Sequence, residues 1–208
     1  MKVLALDLAL TTGWALLEGE INSDTPKLLD YGAIKAPELD PSFSYPLNNI
    51  ERVEELGKWI EQRVFLSQPD VIVIEQLNRG MNRHSQTLLA FIHHRVLIST
   101  IMLPFLQDSK IHYLDSSSWR AAVKLGLTKE QRAQNLALSK AKSKAKKAKK
   151  PLDKEALGIT GKITKKHLSV NLVNFTFGLE LKKKDDDVAD AVLQGLAYLK
   201  GAKLNYGK

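Results

Sequence analysis

The stretch Val3-Leu4-Ala5-Leu6-Asp7-Leu8-Ala9-Leu10 decides the fold. A short apolar run is the pattern of a strand covered on both faces of a sheet. Here one acid interrupts it. Val71-Ile72-Val73-Ile74-Glu75 repeats the theme later in the chain, an apolar run closed by an acid. A charged carboxylate in such a place is costly unless it is paired or binds a cation. Working outward from Val3–Leu8, Thr11-Thr12 reads as a turn and Gly13–Leu17 as a second strand. Leu28–Lys35 reads as a third, and three strands at short spacing predict an antiparallel meander. The loop Pro37–Pro46 is rich in Pro, Asp and Ser. Asn49–Phe65 shows helical spacing at Ile50, Val53, Leu56, Trp59 (or Ile60) and Val64. Val71–Ile74 then predicts a buried strand, Ser85–Leu103 a mostly buried helix stopped by Pro104, and Lys110–Leu114 a short strand. Ser118 is the expected cap of a helix beginning at Trp119. Gly158 and Gly161 mark a turn, Thr164 is the expected cap of a helix through Phe175, and Asp186–Leu199 reads as a final amphipathic helix. The order predicts one α/β domain spanning residues 1–208.

Composition bounds what such a domain does. The 208 residues are 44% hydrophobic, enough for a sizeable core, which excludes a mainly disordered chain. A two-domain enzyme of roughly 300 residues is excluded as well. With no cysteine there is no disulfide framework, thiolate zinc site or cysteine nucleophile. The longest apolar stretch, Val96–Leu106, falls short of the ~20 residues of a spanning helix. The N-terminus carries Asp7 and no cleavage site, so a signal peptide is not expected. The expected location is cytoplasmic, with no membrane partner.

The formal net charge of +8 is concentrated. Arg120–Lys166 holds 15 basic and 3 acidic residues, for +12, and the remainder holds 16 basic and 20 acidic, for −4. Ser139–Lys150 alone carries seven lysines and no acid. A basic stripe of this kind is the footprint of a polyanion partner, or else the solvated face of a Lys/Ala helix. The basic insertion is placed at about residues 128–166.

The remaining acids stand near the C-terminus, in Asp185-Asp186-Asp187-Val188-Ala189-Asp190-Ala191. Helix capping and the dipole explain Asp185 and Asp186. They explain Asp190 poorly, because it lies a turn inside an apolar helix on the same face as Asp187. Four carboxylates from two strands and one helix suit Mg²⁺ or Mn²⁺, which take oxygen ligands. Caps and salt bridges with the many lysines are the competing explanation. The five histidines, His84, His93, His94, His112 and His167, form no metalloprotease-type spacing. Trp14, Trp59 and Trp119 read as core residues before base-stacking platforms.

These residues resemble RuvC-type Holliday junction resolvases of the ribonuclease H-like superfamily. Asp7-Leu8-Ala9-Leu10-Thr11-Thr12-Gly13-Trp14 resembles the family's first strand and hairpin. Pro69-Asp70-Val71-Ile72-Val73-Ile74-Glu75-Gln76 resembles its Pro-Asp to Glu-Gln strand, and Asp187-Val188-Ala189-Asp190-Ala191 its C-terminal Asp-x-x-Asp-Ala helix. Thr160-Gly161-Lys162-Ile163-Thr164-Lys165 looks like a trimmed Thr-Gly segment before a helix. The matches fall in the family's order and span almost the whole chain. They imply a ribonuclease H-like fold, a mixed central sheet flanked by helices, with a Lys-rich helical insertion. Three departures stand out. Asn78 and Arg79 occupy the place of a junction-wedging Phe, Leu8-Ala9 replaces the usual Pro-Gly, and the Lys-rich insertion is atypical of cellular members. The combination looks like a bacteriophage-type member.

The resemblance implies that Asp7, Glu75, Asp187 and Asp190 ligate two Mg²⁺ ions (Mn²⁺ possible), with Asp187 favoured over Asp186 by its spacing. Lys165 is implied as the basic residue near the scissile phosphate. The implied activity is metal-dependent resolution of four-way or other branched DNA by a homodimer, through symmetric nicks leaving 5′-phosphate and 3′-hydroxyl ends. Expected DNA contacts are Arg79, Asn82, Arg83 and Ser85 after Glu75, then Arg120, Lys124 and Lys162, with Lys166 before the last two helices. The basic run adds Lys140, Lys142, Lys144, Lys146, Lys147, Lys149 and Lys150. Alternatives are another ribonuclease H-like nuclease, debranching or cutting RNA–DNA hybrids, and a non-catalytic DNA-binding module.

Overall fold

The computed structural model describes residues 1–23, 25–39, 41–42, 44, 47–77, 88–96, 110–147 and 162–202. Lys2–Asp7 (β1), Thr11–Glu18 (β2) and Lys27–Lys35 (β3) form the expected antiparallel meander. Leu47–Ser67 is a helix (α1), slightly longer at both ends than its apolar spacing predicts. Val71–Glu75 (β4) follows, then a helix whose described residues are 88–96 (α2), then Lys110–Leu114 (β5). The flanking parts of the expected Ser85–Leu103 helix and the turn at Gly158 and Gly161 lie outside the described residues. Ser116–Ala122 (α3), Lys129–Lys147 (α4), Lys165–Phe177 (α5) and Asp186–Leu199 (α6) complete the order.

The sheet runs β3-β2-β1-β4-β5, with β1, β4 and β5 parallel. Side chains alternate faces along a strand, and this builds two cores. Leu4, Leu6, Ile72 and Ile74 face α1 and α2, together with Val53, Ile60 and Ile92. Val3, Ala5, Val71 and Val73 face the opposite way, toward Trp119, Val170 and the apolar length of α6. The same alternation places Asp7 beyond Val3 and Ala5, and Glu75 beyond Val71 and Val73. Both acids therefore continue the rows that α6 covers.

Helix α6 is buried from Val188 to Leu199, as befits a helix apolar nearly all round. Two glycines let it lie close to the sheet. A Cβ on Gly13 would overlap the backbone carbonyl of Asp187 and stand 2.9 Å from Val188 N. A Cβ on Gly195 would overlap Leu17 and sit 3.3 Å from the Ala5 Cβ. Gly13 pairs directly with Asp7 in the β1–β2 ladder. The first turn of α6 is thus pressed against the strand position opposite Asp7.

One helix start differs from expectation. Ser118 does not cap α3; Asp115 does, accepting from Ser117 N at 2.8 Å and Ser118 N at 3.2 Å. Asp and Ser are comparable caps, and the helix starts early enough that Asp115 takes the role. At α5 the expected cap holds, with Thr164 Oγ1 accepting from His167 N.

Candidate active site

The four acids singled out by sequence meet at one end of the sheet. Asp7 ends β1 and Glu75 ends β4, and the parallel pairing of Leu6 with Ile74 puts them side by side. Asp187 and Asp190 come from the first turns of α6. The turn after Asp7 is closed locally: the buried Thr12 hydroxyl donates to Ala9 O at 2.7 Å and accepts from Ala9 N.

Every one of these acids is harder to ionise than a free carboxylate. Burial, then the charges of Asp190, Glu75 and Asp187, pushes the Asp7 carboxyl up to about 8, against a small opposing pull from Lys166. Burial also raises Glu75, against a hydrogen bond from Trp119 and the charge of Arg120. Burial raises Asp187, reinforced by Asp186. Asp190 rises through burial, opposed by Ser169, Arg120 and Lys166. Burial and like-charge repulsion act in the same direction throughout. A proton relieves both, and a bound cation would relieve the repulsion in its place.

The donor set fits such a cation. It is made only of carboxylate oxygens, the chemistry Mg²⁺ and Mn²⁺ take. Asp190, 9% exposed, has an Oδ1 atom buried without a hydrogen-bond partner. Among the described residues no three His, Asp or Glu side chains are drawn together tightly enough to hold one ion as they stand. The four acids face one another as a mutually repelling set.

Two cations border the acids. Lys166 Nζ bonds the Asp186 carboxylate and lies 4.0 Å from Asp187 Oδ1. Lys165, expected at the site, is exposed, and its described contact is a carbonyl accepting from the Ser169 hydroxyl at 3.2 Å. Asp186 is engaged by Lys166, whereas Asp187 is the one whose charge reaches Asp7. Arg120, expected as a DNA contact, reaches Asp190 Oδ2 at 3.6 Å and lies over the Trp119 ring at 4.4 Å. The Trp119 indole donates to Glu75 Oε2 at 2.7 Å. Sequence reading placed Trp119 in the core, where it is, but missed this bond. The signal was present: a buried indole N–H ordinarily finds an acceptor, and Glu75 is an acid in a buried strand.

The other basic residues spread around this centre. Lys124 sits in the turn after α3 with a φ of 54°, and Lys162 is exposed just before α5. On α4, Lys140, Lys144 and Lys147 share a face, and with Ser139 and Ser143 they line a concavity of about 380 Å³. Lys142 and Lys146 project from the other side of the helix. Helix α4 is joined to the chain before α5 by the Asn135 amide, which accepts from Ile163 N at 2.9 Å and donates to Ile163 O at 2.8 Å. Arg79, Asn82, Arg83, Ser85, Lys149 and Lys150 lie outside the described residues. His93 is buried, and burial lowers it to about 4; His112 is buried against Tyr198.

No family model matches the chain, and no curated protein matches it. Solved structures do. The RuvC protein of T. thermophilus in complex with Holliday junction substrate is 12% identical, with a TM-score of 0.61 over 98% of this chain and 99% of that one. A further structure of RuvC from Thermus thermophilus gives 13% identity at the same TM-score and coverage. The yeast mitochondrial Holliday junction resolvase Ydc2 gives 14% identity and a TM-score of 0.52, over 95% of this chain and 77% of that one. The chain has the RuvC fold, a ribonuclease H-like mixed five-stranded sheet with flanking helices. Among the described residues, no helix is long and apolar enough to cross a membrane.

Proposed function

We propose that the chain is a RuvC-type, metal-dependent, structure-selective DNA endonuclease that resolves four-way junctions. One observation carries the reading: on the RuvC fold, Asp7, Glu75, Asp187 and Asp190 converge from two adjacent parallel strands and one buried helix. Asp7 and Glu75 would hold Mg²⁺ from the sheet, and Asp187 and Asp190 from α6. When bound, two Mg²⁺ (or Mn²⁺) ions supply an activated water and stabilise the departing 3′-oxygen of a phosphodiester. The ends produced are a 5′-phosphate and a 3′-hydroxyl. The chain's own residues prepare that chemistry. Burial and mutual repulsion keep Asp7 protonated near neutral pH, and a bound cation would take the place of that proton and offset the charges that otherwise repel a phosphate. Arg120 and Lys166 hold the acids that face them. The lysines of α4 contact backbone phosphates, which adds affinity and salt dependence without reading sequence. A homodimer would present two such sites to the two symmetric strands of a junction.

The test uses the purified protein with Mg²⁺ on labelled four-way, Y-shaped and linear duplex DNA. Paired nicks in the junction are expected, with Asp190→Asn cutting at least about a hundredfold more slowly. Nicking equally fast by Asp190→Asn, or no cut in any substrate, sinks the reading. Preferential cutting of Y-shaped DNA or of an RNA–DNA hybrid would assign the same site to debranching or hybrid cleavage.

A further inference from the structure

Trp119 is fully buried on α3, a helix held in register by the Asp115 cap. Its indole N–H reaches across to β4 and donates to Glu75 Oε2 at 2.7 Å. The two residues are 44 positions apart, so the bond is made by tertiary packing. A buried indole N–H needs an acceptor, whereas a Phe fills similar space without one. The N–H has one partner, and that partner belongs to the acidic site. The opposite use of the ring is also at the site: Arg120 lies over it at 4.4 Å while reaching toward Asp190 at 3.6 Å.

We propose that Trp119 is a positioning residue for Glu75. Its indole holds Oε2 at 2.7 Å, so that the Glu75 carboxylate is fixed in one orientation before a cation arrives. A carboxylate free to rotate would lose more conformational freedom on binding. The inference rests on the reading of the acids as metal ligands, and it adds a partner that the acids alone do not reveal. Groups that orient metal-ligating side chains are typically worth tenfold to a hundredfold in metal affinity.

The experiment titrates the full-length protein with Mn²⁺ and reads free Mn²⁺ by electron paramagnetic resonance, comparing wild type with Trp119→Phe. The variant is expected to bind roughly tenfold to a hundredfold more weakly, while keeping a cooperative melt. A second measurement needs no substitution at Trp119. The ¹H–¹⁵N resonance of its indole, assigned by elimination with Trp14→Phe and Trp59→Phe, is expected to shift as Mg²⁺ saturates the wild type. If Trp119→Phe fails to fold, this resonance decides. Unchanged Mn²⁺ affinity in the folded variant, or an indole resonance that stays still at saturating Mg²⁺, overturns the inference and leaves the metal reading standing. A wild type that takes up no Mn²⁺ overturns the metal reading, and the inference with it.

Discussion

Replacing Gly13 by Ala tests how α6 is delivered to the site. The added methyl would run into the Asp187 carbonyl and stand 2.9 Å from Val188 N. Both obstacles are backbone in the first turn of α6, so no side chain can swing aside. Relief requires α6 to retreat on the order of 1 Å, and overpacking of that kind costs about 1–3 kcal/mol. For a chain of this length each kcal/mol lowers the melting temperature by about 2–4 °C. The expected fall is therefore about 2–12 °C. The catalytic loss should be larger in proportion, because Asp187 and Asp190 withdraw from Asp7 with the helix. A misplacement of about 1 Å is worth ~10²-fold in rate. Thermal unfolding and single-turnover junction cleavage in Mg²⁺ measure the two effects. Gly126→Ala is the control, since a Cβ there meets nothing within 4 Å. A Gly13→Ala protein that melts and cuts like wild type would show that the close approach of α6 to β2 does not set the site.

Other outcomes follow from the charges. Asp7 titrates near 8 in the metal-free fold against 3.8 unfolded, so the folded state holds a proton that the unfolded state has released between those values. Metal-free stability should fall as pH rises from about 4 to 8, and Asp7→Asn should flatten that slope while abolishing Mn²⁺ uptake. Melting temperatures across pH 5 to 8 check it; a wild-type slope retained in Asp7→Asn refutes the assignment. On α4, replacing Lys140, Lys144 and Lys147 together by Ala should lower the salt slope of junction binding by about 2–3, at roughly 0.9 per phosphate contact. An unchanged slope would mean that this face does not meet the DNA backbone.

The two strand acids were legible because an apolar run leaves little doubt where Asp7 and Glu75 sit, and period two then fixes their face. Asp190 stood out because a position one turn inside an apolar helix has no capping role, whereas only the Asp-x-x-Asp-Ala spacing of the resemblance favours Asp187 over Asp186. What escaped was of two kinds. One was angular: neighbouring residues on a helix point about 100° apart, so Lys165 and Lys166 read alike in sequence, and the sequence did not show that Lys166 lies beside Asp186 and Asp187. The start of α3 failed in a related way, since Asp115 and three serines are all competent caps and the carboxylate prevails. The other kind was non-local. The Trp119–Glu75 bond and the approach of Arg120 to Asp190 exist only once α3 is laid beside β4 and α6, and no window of sequence contains both partners.

The Asn135–Ile163 clamp has an implication for how such a chain changes over generations. Two hydrogen bonds pin the departure and the return of the lysine-bearing segment to one point on the body. An excursion anchored in this way can gain, lose or trade residues at little entropic cost, because loop closure grows only slowly with length. Helices α5 and α6, which carry Lys166, Asp187 and Asp190, begin after the clamp. On the proposed function, the segment that would hold nucleic acid is thus free to drift while the residues that would cut it stay put, and a lineage could retune which DNA it holds without relearning how to cleave it.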